Sequence, residues 1–287
     1  MGILTEATET LKTAYKIMLD NLSIIWPLVT YMMVIGIFLT PKLALNPIIM
    51  LFVFLLSSAF IAGWYPMIDK NINLFFKKAF SKEDKAIEYI KNYKEFFPGV
   101  EKNILSMVSV TLISFIFIII ALLVIQLIFK ITIGGANMEK VVISLQNSML
   151  KAKTNNEVLA LIKNPQYKSL YYLGIIELFF IVICSYLAIF WTQAIILYSK
   201  NPFKALAESV KTVINKPAET FIIFSANFIG NTIILISSMF AGENPLFQIL
   251  SLLATIYISV YLTILNFLSL EKYSKKINSY HRSDCIR

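Results

Sequence analysis

Residues 103–129 read NILSMVSVTLISFIFIIIALLVIQLIF, an apolar run that contains no charged side chain. A helix needs about 20 such residues to cross the hydrocarbon core of a membrane, which is about 30 Å thick. The run is longer than an ordinary strand, and it does not alternate between apolar and polar residues. It therefore predicts a transmembrane helix.

Five further runs share this length and this apolar character. Short connections at 40–42 and 241–245 join the first pair and the last pair of runs, which indicates helical hairpins. The sequence therefore predicts an all-α polytopic membrane bundle of six transmembrane helices in three hairpins, forming a single membrane domain over residues 1–287. The predicted spans are residues 22–40, 43–66, 103–129, 169–198, 218–238 and 245–270.

The composition of the whole chain agrees with this interpretation. Of its 287 residues, 57% are hydrophobic and only 15% are charged, and the mean hydropathy is +0.71. Soluble domains carry roughly 25% charged residues, so an ordinary soluble enzyme is excluded. The net charge of +9 comes almost wholly from lysine, since the only arginines are Arg282 and Arg287. Because lysine lacks the planar fork with which arginine binds phosphate, we expect no specific binding of nucleic acid.

The basic residues also predict the orientation of the spans. If both termini are cytoplasmic, 19 of the 26 basic residues lie on the cytoplasmic side, as the positive-inside rule requires. Anionic lipid headgroups attract each lysine near the surface by about 1 kcal/mol. We therefore expect the basic loop 67–102 and the segment before the fifth span to contact the membrane surface. The candidate residues are Lys77, Lys78, Lys91, Lys94, Lys204 and Lys211.

An amphipathic segment precedes each predicted hairpin on this side of the membrane. Such helices lie in the membrane interface with their apolar side buried about 5–10 Å deep. A shared pattern favours a threefold repeat of one interfacial helix followed by one hairpin. It reads Tyr15-Lys16-x-Met18-Leu19, Tyr93-Lys94-x-Phe96-Phe97 and Val210-Lys211-x-Val213-Ile214.

Each of the three segments has a predicted start or apolar face. Ser81 and Asp84 form a capping pattern in the second segment. In the third, Asn201 is a candidate N-cap and Pro202 occupies the first helical position. The first segment has its apolar face at Leu4, Ala7, Leu11, Ala14, Tyr15 and Met18, and the third at Phe203, Leu206, Val210, Val213 and Ile214.

The stretch NPFKALAESVK at residues 201–211 resembles a signature of uncharacterised bacterial six-span membrane proteins. These proteins are similar to the membrane domain attached to some glycerophosphodiester phosphodiesterases. Ala205, Leu206 and Ser209 match the signature, and the likeness of architecture covers nearly the whole chain. The resemblance implies the fold and a place in the cell membrane of a prokaryote. It implies no activity, because the soluble phosphodiesterase barrel with its histidines and acidic metal ligands is absent from this sequence.

The connection at residues 131–168 is the largest predicted external segment. Apolar residues at helical spacing in 141–150 and 158–162 predict two short amphipathic helices, which Asn164-Pro165 ends. The segment is either a cap packed on the outer membrane face or a lid over a pocket.

Glu177 is the carboxylate predicted at membrane depth. A charge there costs about 2.5–3.5 kcal/mol on insertion scales, so the side chain should face the bundle or water. Lys130, at the outer end of the third span, is a candidate partner. Glu177 is therefore either part of a structural ion pair or a site for a substrate or a proton.

Other polar and small residues within the spans indicate how the helices pack. Asn227, Asn231 and Gln193 can form hydrogen bonds between helices, and Gln126 can join them. The alternative is that these side chains line a polar conduit. Small residues four apart, at Ala59 and Gly63 and at Ala226 and Gly230, favour a close approach of neighbouring helices.

The sequence contains few residues that could carry out catalysis or bind a metal or a cofactor. The only histidine is His281, in a polar tail, and no phosphate-binding loop, metal-ligand motif or nucleophile motif occurs. We therefore predict no catalytic residue, no metal site and no cofactor.

The leading hypothesis is a non-enzymatic integral membrane protein that organises lipid or a partner protein at the cytoplasmic membrane. One alternative is a permease component coupled to a cytoplasmic ATPase, a class that generally works as a dimer. The other is an intramembrane enzyme that acts on lipids, with Glu177 as its acid. The expected partners are membrane lipids with anionic headgroups, a membrane protein or ATPase, or a second copy of this chain.

Overall fold

A computed structural model of the protein describes residues 3–38, 46–77, 87–88, 90–133, 140, 142–148, 164–241 and 244–273. These residues are almost entirely helical and contain no strand, which confirms the all-α prediction. We number the main helices α1 (Ile3–Asp20), α2 (Ile25–Phe38), α3 (Pro47–Phe76), α4 (Phe96–Ile133), α5 (Lys168–Leu187), α6 (Trp191–Leu197), α7 (Pro202–Asn215), α8 (Pro217–Ala241) and α9 (Pro245–Tyr273).

Five helical stretches of the described chain are long and apolar enough to cross a membrane. A sixth is added if the bent pair Thr5–Asp20 and Leu22–Phe38 is counted as one span. The prediction of a multi-pass membrane protein is thus confirmed at the level of five or six spans. The five stretches are Pro47–Phe76, Asn92–Ile131, Leu170–Leu197, Pro217–Phe240 and Pro245–Tyr273.

The first predicted span, residues 22–40, is helical over Leu22–Phe38, and residues 39 and 40 lie outside the described chain. This stretch consists of one short 3-10 turn, Leu22–Ile24, followed by α2. Its axis bends by 81° from that of α1.

The chain folds into two compact units. Unit 1 comprises residues 1–111 and 186–287, and unit 2 comprises residues 112–185. Helices α4 and α5 contribute residues to both units.

The centre of unit 1 is the second half of α9. Every residue from Leu262 to Leu270 is buried, and α1, α2, α3, α6, α7 and α8 all contact this helix. A helix enclosed by neighbours in this way is typical of the core of a helical bundle. The last predicted span is therefore the core helix of unit 1.

The N-terminal helix α1 is held against α9 by one face. Ala7, Thr10, Ala14 and Ile17 are buried there, at helical spacing. The ammonium group of Lys272 donates to the backbone oxygen of Glu6 at 3.1 Å and to the hydroxyl of Thr10 at 3.2 Å. Of the face predicted for this helix, Ala7, Ala14 and Met18 are buried, whereas Tyr15 is exposed.

Unit 2 contains most of the predicted external segment. Residues 142–148 are helical, in agreement with the first helix predicted there, whereas residues 158–162 lie outside the described chain. The hydroxyl groups of Ser144 and Ser148 lie 3.2 Å and 3.3 Å from the Tyr167 hydroxyl. These hydrogen bonds, the one with Ser144 foremost, lower the pKa of Tyr167 from its ordinary value.

Candidate functional site

Helix α7 begins as its sequence predicts. The side-chain oxygen of Asn201 accepts hydrogen bonds from the backbone N–H groups of Phe203, at 3.0 Å, and Lys204, at 3.2 Å. Pro202 follows in the first turn, where its missing N–H costs nothing. The predicted N-cap is therefore confirmed.

The inner face of α7 consists of small and polar side chains. Ala205, Ser209, Thr212 and Val213 are buried, and α7 contacts α6, α8 and α9. Side chains of this size allow the backbone of α7 to lie close to its neighbours.

Ser209 joins α7 to an interruption in the neighbouring span. The sequence predicts one continuous span over 169–198, but the helix is interrupted between Leu187 and Trp191. The Ser209 hydroxyl donates to the backbone oxygen of Leu187 at 2.8 Å and accepts from the N–H of Phe190 at 3.2 Å. It thus satisfies two backbone groups that an interrupted helix leaves without partners. The indole N–H of Trp191 adds a bond of 2.7 Å to the backbone oxygen of Pro202.

The outer face of α7 consists of large apolar side chains. Phe203 is 65% exposed and Ile214 is 66% exposed. A shallow groove of about 500 Å³ runs along this face. Its lining residues are Phe203, Leu206, Ala207, Val210, Lys211, Ile214 and Asn215.

Lysines border this outer face. Lys204 and Lys211 are both exposed, and their positions seven residues apart place them on one side of the helix. We call the exposed Phe203 and Ile214, the half-buried Leu206 and Val210 and these two lysines the α7 surface. Val213, which the sequence assigned to the same face, belongs to the inner face instead. The chemistry of this surface, apolar at its centre and cationic at its edge, suits a phospholipid.

The other lysines predicted to contact the membrane surface are not part of the α7 surface. Lys77 and Lys94 are exposed. The ammonium group of Lys91 lies 2.7 Å from the Glu88 carboxylate, so part of its charge is neutralised. Lys78 lies outside the described residues, as do the predicted cap residues Ser81 and Asp84.

Glu177 has a hydrogen-bond partner on the neighbouring helix of unit 2. The side-chain N–H of Gln126 donates to a carboxylate oxygen of Glu177 at 3.2 Å. Gln126 is exposed and Glu177 is half-buried. The described contact of the carboxyl group is thus with a neutral amide, whereas the candidate partner from the sequence was Lys130.

Asn227 forms a reciprocal bond with a residue that sequence reasoning missed. Its side-chain N–H donates to the oxygen of Asn266 at 2.8 Å, and the N–H of Asn266 donates back at 3.2 Å. Asn231, one turn away, is exposed and donates to the backbone oxygen of Asn227 at 2.8 Å. The amide of Asn266 in an apolar span was the available signal.

Gln193 lies in the interior of unit 1. Its side chain is 2% exposed, and its oxygen accepts a hydrogen bond from the Thr192 hydroxyl at 3.0 Å. The intramembrane candidates lie on different helices: Asn227 and Asn231 on α8, Gln193 on α6 and Glu177 on α5. Within the described chain, no three histidine, cysteine or acidic side chains lie close enough to hold a metal ion.

Comparison of the chain with protein-family models, with curated proteins and with solved structures finds no match. The resemblance to bacterial six-span proteins therefore stays a prediction. Function has to be inferred from the geometry of the chain itself.

Proposed function

We propose that this protein is a non-enzymatic multi-pass protein of a prokaryotic cell membrane, with cytoplasmic termini, that organises anionic lipid through the α7 surface. The observation that carries the proposal is the division of α7 into two faces. Small side chains face the protein, while Phe203 and Ile214 point away from it beside exposed lysines.

The energetics of the α7 surface favour lipid as its cover. Apolar area removed from water contributes about 25 cal/mol per Å², so exposed phenylalanine and isoleucine side chains favour insertion between lipid headgroups. Each lysine near an anionic surface adds about 1 kcal/mol. Lys204 and Lys211 are spaced to remain at headgroup level while the apolar row of the same helix dips towards the acyl chains.

The repeated pattern supports a wider arrangement of three hairpins, each preceded by an interfacial helix. In the register that aligns Tyr15-Lys16 with Val210-Lys211, the end of α1 at Asp20 corresponds to the end of α7 at Asn215. The two interfacial helices therefore end at equivalent positions.

The second repeat supports the same register through its contacts. When Tyr93-Lys94 is aligned with Val210-Lys211, Asn92 corresponds to Ser209, and Asn71 on α3 corresponds to Ala188. The side-chain N–H of Asn92 donates to the oxygen of Asn71 at 2.6 Å. Ser209 likewise bonds the backbone on either side of Ala188. The same position of the pattern thus contacts the preceding span in both repeats, through a side chain in the second and through the backbone in the third.

A fluorophore on α7 tests the proposed insertion. Both native cysteines, Cys184 and Cys285, are replaced by serine, and single cysteines are introduced as Ile214→Cys or, as the matched control, Glu208→Cys. Glu208 lies on the lysine side of the same helix. In vesicles of phosphatidylcholine and phosphatidylglycerol, lipids with spin labels on their acyl chains should quench the label at position 214 much more than the label at 208. Equal quenching at the two positions would contradict the proposal.

Charge reversal tests the part of the proposal that concerns anionic lipid. Lys204→Glu combined with Lys211→Glu should reduce the amount of phosphatidylglycerol that copurifies with the protein. Lys140→Glu combined with Lys168→Glu is the charge-matched control, because these exposed lysines belong to the segment predicted to be external. If the α7 variant retains as much phosphatidylglycerol as the control, α7 does not select anionic lipid.

A further inference from the structure

A hydrogen-bonded pair of polar side chains lies among exposed apolar side chains of unit 2. Gln126 on α4 donates to Glu177 on α5 at 3.2 Å. Leu123, one turn before Gln126, and Leu178, next to Glu177, are exposed and apolar, and Lys130 is exposed near the end of α4. Both helices belong to stretches apolar enough to cross a membrane, so this face meets hydrocarbon unless another protein surface covers it.

The pair retains hydrogen-bonding capacity that hydrocarbon cannot satisfy. A glutamine amide has two N–H donors and an accepting oxygen, and a carboxyl group has two oxygens. The described contact uses one N–H of Gln126 and one oxygen of Glu177. Because lipid chains offer no partner to the remaining groups, an isolated pair at this depth is unfavourable.

We propose that this face of unit 2 is the interface through which two copies of the chain associate in the membrane. The amide donates and the carboxyl group accepts, so the pair is complementary to the same pair in a second copy. In a two-fold arrangement, the second N–H of each Gln126 can reach the carboxyl group of the other copy, which closes a ring of four side chains. A two-fold interface requires this kind of self-complementary surface.

Gly174 supplies the space that a second helix needs. It lies three residues before Glu177, on the same side of α5. Among the described residues, no atom beyond its own stretch of helix lies within 4 Å of the position that a Cβ at Gly174 would occupy. Small residues beside polar ones are typical of helix contacts inside membranes.

Energy transfer between labelled copies tests the proposal. The purified chain, carrying a donor or an acceptor fluorophore at its N-terminus, is reconstituted in vesicles of phosphatidylcholine and phosphatidylglycerol and diluted with lipid. Gln126→Leu and Glu177→Leu should each raise the protein density at half-maximal transfer about tenfold, as expected from the loss of two hydrogen bonds inside a membrane. Glu177→Gln should keep the transfer, because an amide still donates and accepts.

Two further variants separate association from folding. Gly174→Leu adds bulk where the single chain has open space, so it should weaken energy transfer while leaving the thermal midpoint in detergent unchanged. Asn231→Leu is the matched control: it removes an exposed amide from α8, whose hydrogen bond lies within its own helix, and should leave transfer unchanged.

The proposal fails if purified copies show no energy transfer at any density, or if Gln126→Leu, Glu177→Leu and Gly174→Leu all behave as the unaltered chain. It also fails if position 178, where an exposed leucine next to Glu177 is replaced by a photocrosslinker in native membranes, is joined only to a different membrane protein.

Discussion

Replacing Gly63 by alanine should destabilise unit 1, because α3 and the start of α4 approach each other most closely there. A Cβ at Gly63 would lie 2.7 Å from the backbone oxygen of Phe96 and 2.8 Å from a methyl group of Val100. Gly99 faces the same contact from α4, and a Cβ there would lie 3.0 Å from the backbone oxygen of Ala62. This contact agrees with the small-residue pair predicted at Ala59 and Gly63.

The expected loss in the free energy of unfolding follows from the distance by which the two helices must separate. Ordinary van der Waals contact begins near 3.4 Å, so the two backbones must separate by about 0.7 Å locally. Overpacking of this kind costs about 1–3 kcal/mol. Because the obstacle is a backbone oxygen, it cannot move away by changing rotamer. The better helix propensity of alanine offsets about 0.5–1 kcal/mol of this cost, so we expect a net loss of about 0–2.5 kcal/mol, centred near 1 kcal/mol.

The thermal midpoint in detergent, read from the monodisperse chromatographic peak after heating, measures this loss. Gly36→Ala on α2 is the matched control, because the described chain has no atom within 4 Å of a Cβ at Gly36 beyond its own stretch of helix. The control should keep or slightly raise the midpoint, whereas Gly63→Ala should lower it by several degrees. If the two variants have the same midpoint, the close approach does not limit stability and the argument from distance is wrong.

Two further predictions concern polar contacts inside unit 1. Asn227→Leu and Asn266→Leu should each lower the thermal midpoint, and the double variant should lose less than the sum of the two single losses. The double-mutant cycle should give a coupling energy of about 0.6–1.7 kcal/mol between the two amides. A coupling energy of zero would mean that the amides do not interact. Ser209→Ala should cost about 1–3 kcal/mol, because it removes the partner of the Phe190 N–H. Ser238→Ala, which removes an exposed hydroxyl bonded within its own helix, should leave the same midpoint nearly unchanged, and equal losses in the two serine variants would refute the role given to Ser209.

The spans were predictable from sequence because hydrocarbon imposes a simple requirement. A segment that crosses a membrane must be helical and apolar over about 20 residues, which a sequence displays directly. The interruption between Leu187 and Trp191 was not predictable in this way. It depends on a hydroxyl group at Ser209, and no local pattern indicates that this distant side chain will satisfy the interrupted backbone.

The candidate site was predictable in part. Periodicity identified α7 as amphipathic and identified its cap, since both signals lie within a few consecutive residues. Periodicity does not determine which face turns towards the protein. The sequence placed Val213 with Phe203 because both are apolar. In the structure, small and branched side chains lie on the closely packed inner face, and the largest side chains lie on the outer face.

Asn227 and Asn231 show where local sequence information ends. They are chemically identical and one turn apart on α8, yet only Asn227 meets Asn266 across the hairpin. The same hairpin brings the Ser251 hydroxyl within 3.3 Å of Ser237 and places Gly230 against the side chain of Leu262. These contacts depend on the register of α8 against α9, which is a property of the pair of helices. In hydrocarbon, where apolar side chains gain little from one helix over another, such polar and close contacts are what distinguishes one register from the next. The polar residues of these spans therefore favour one register of α8 against α9, and their contacts follow only from that register.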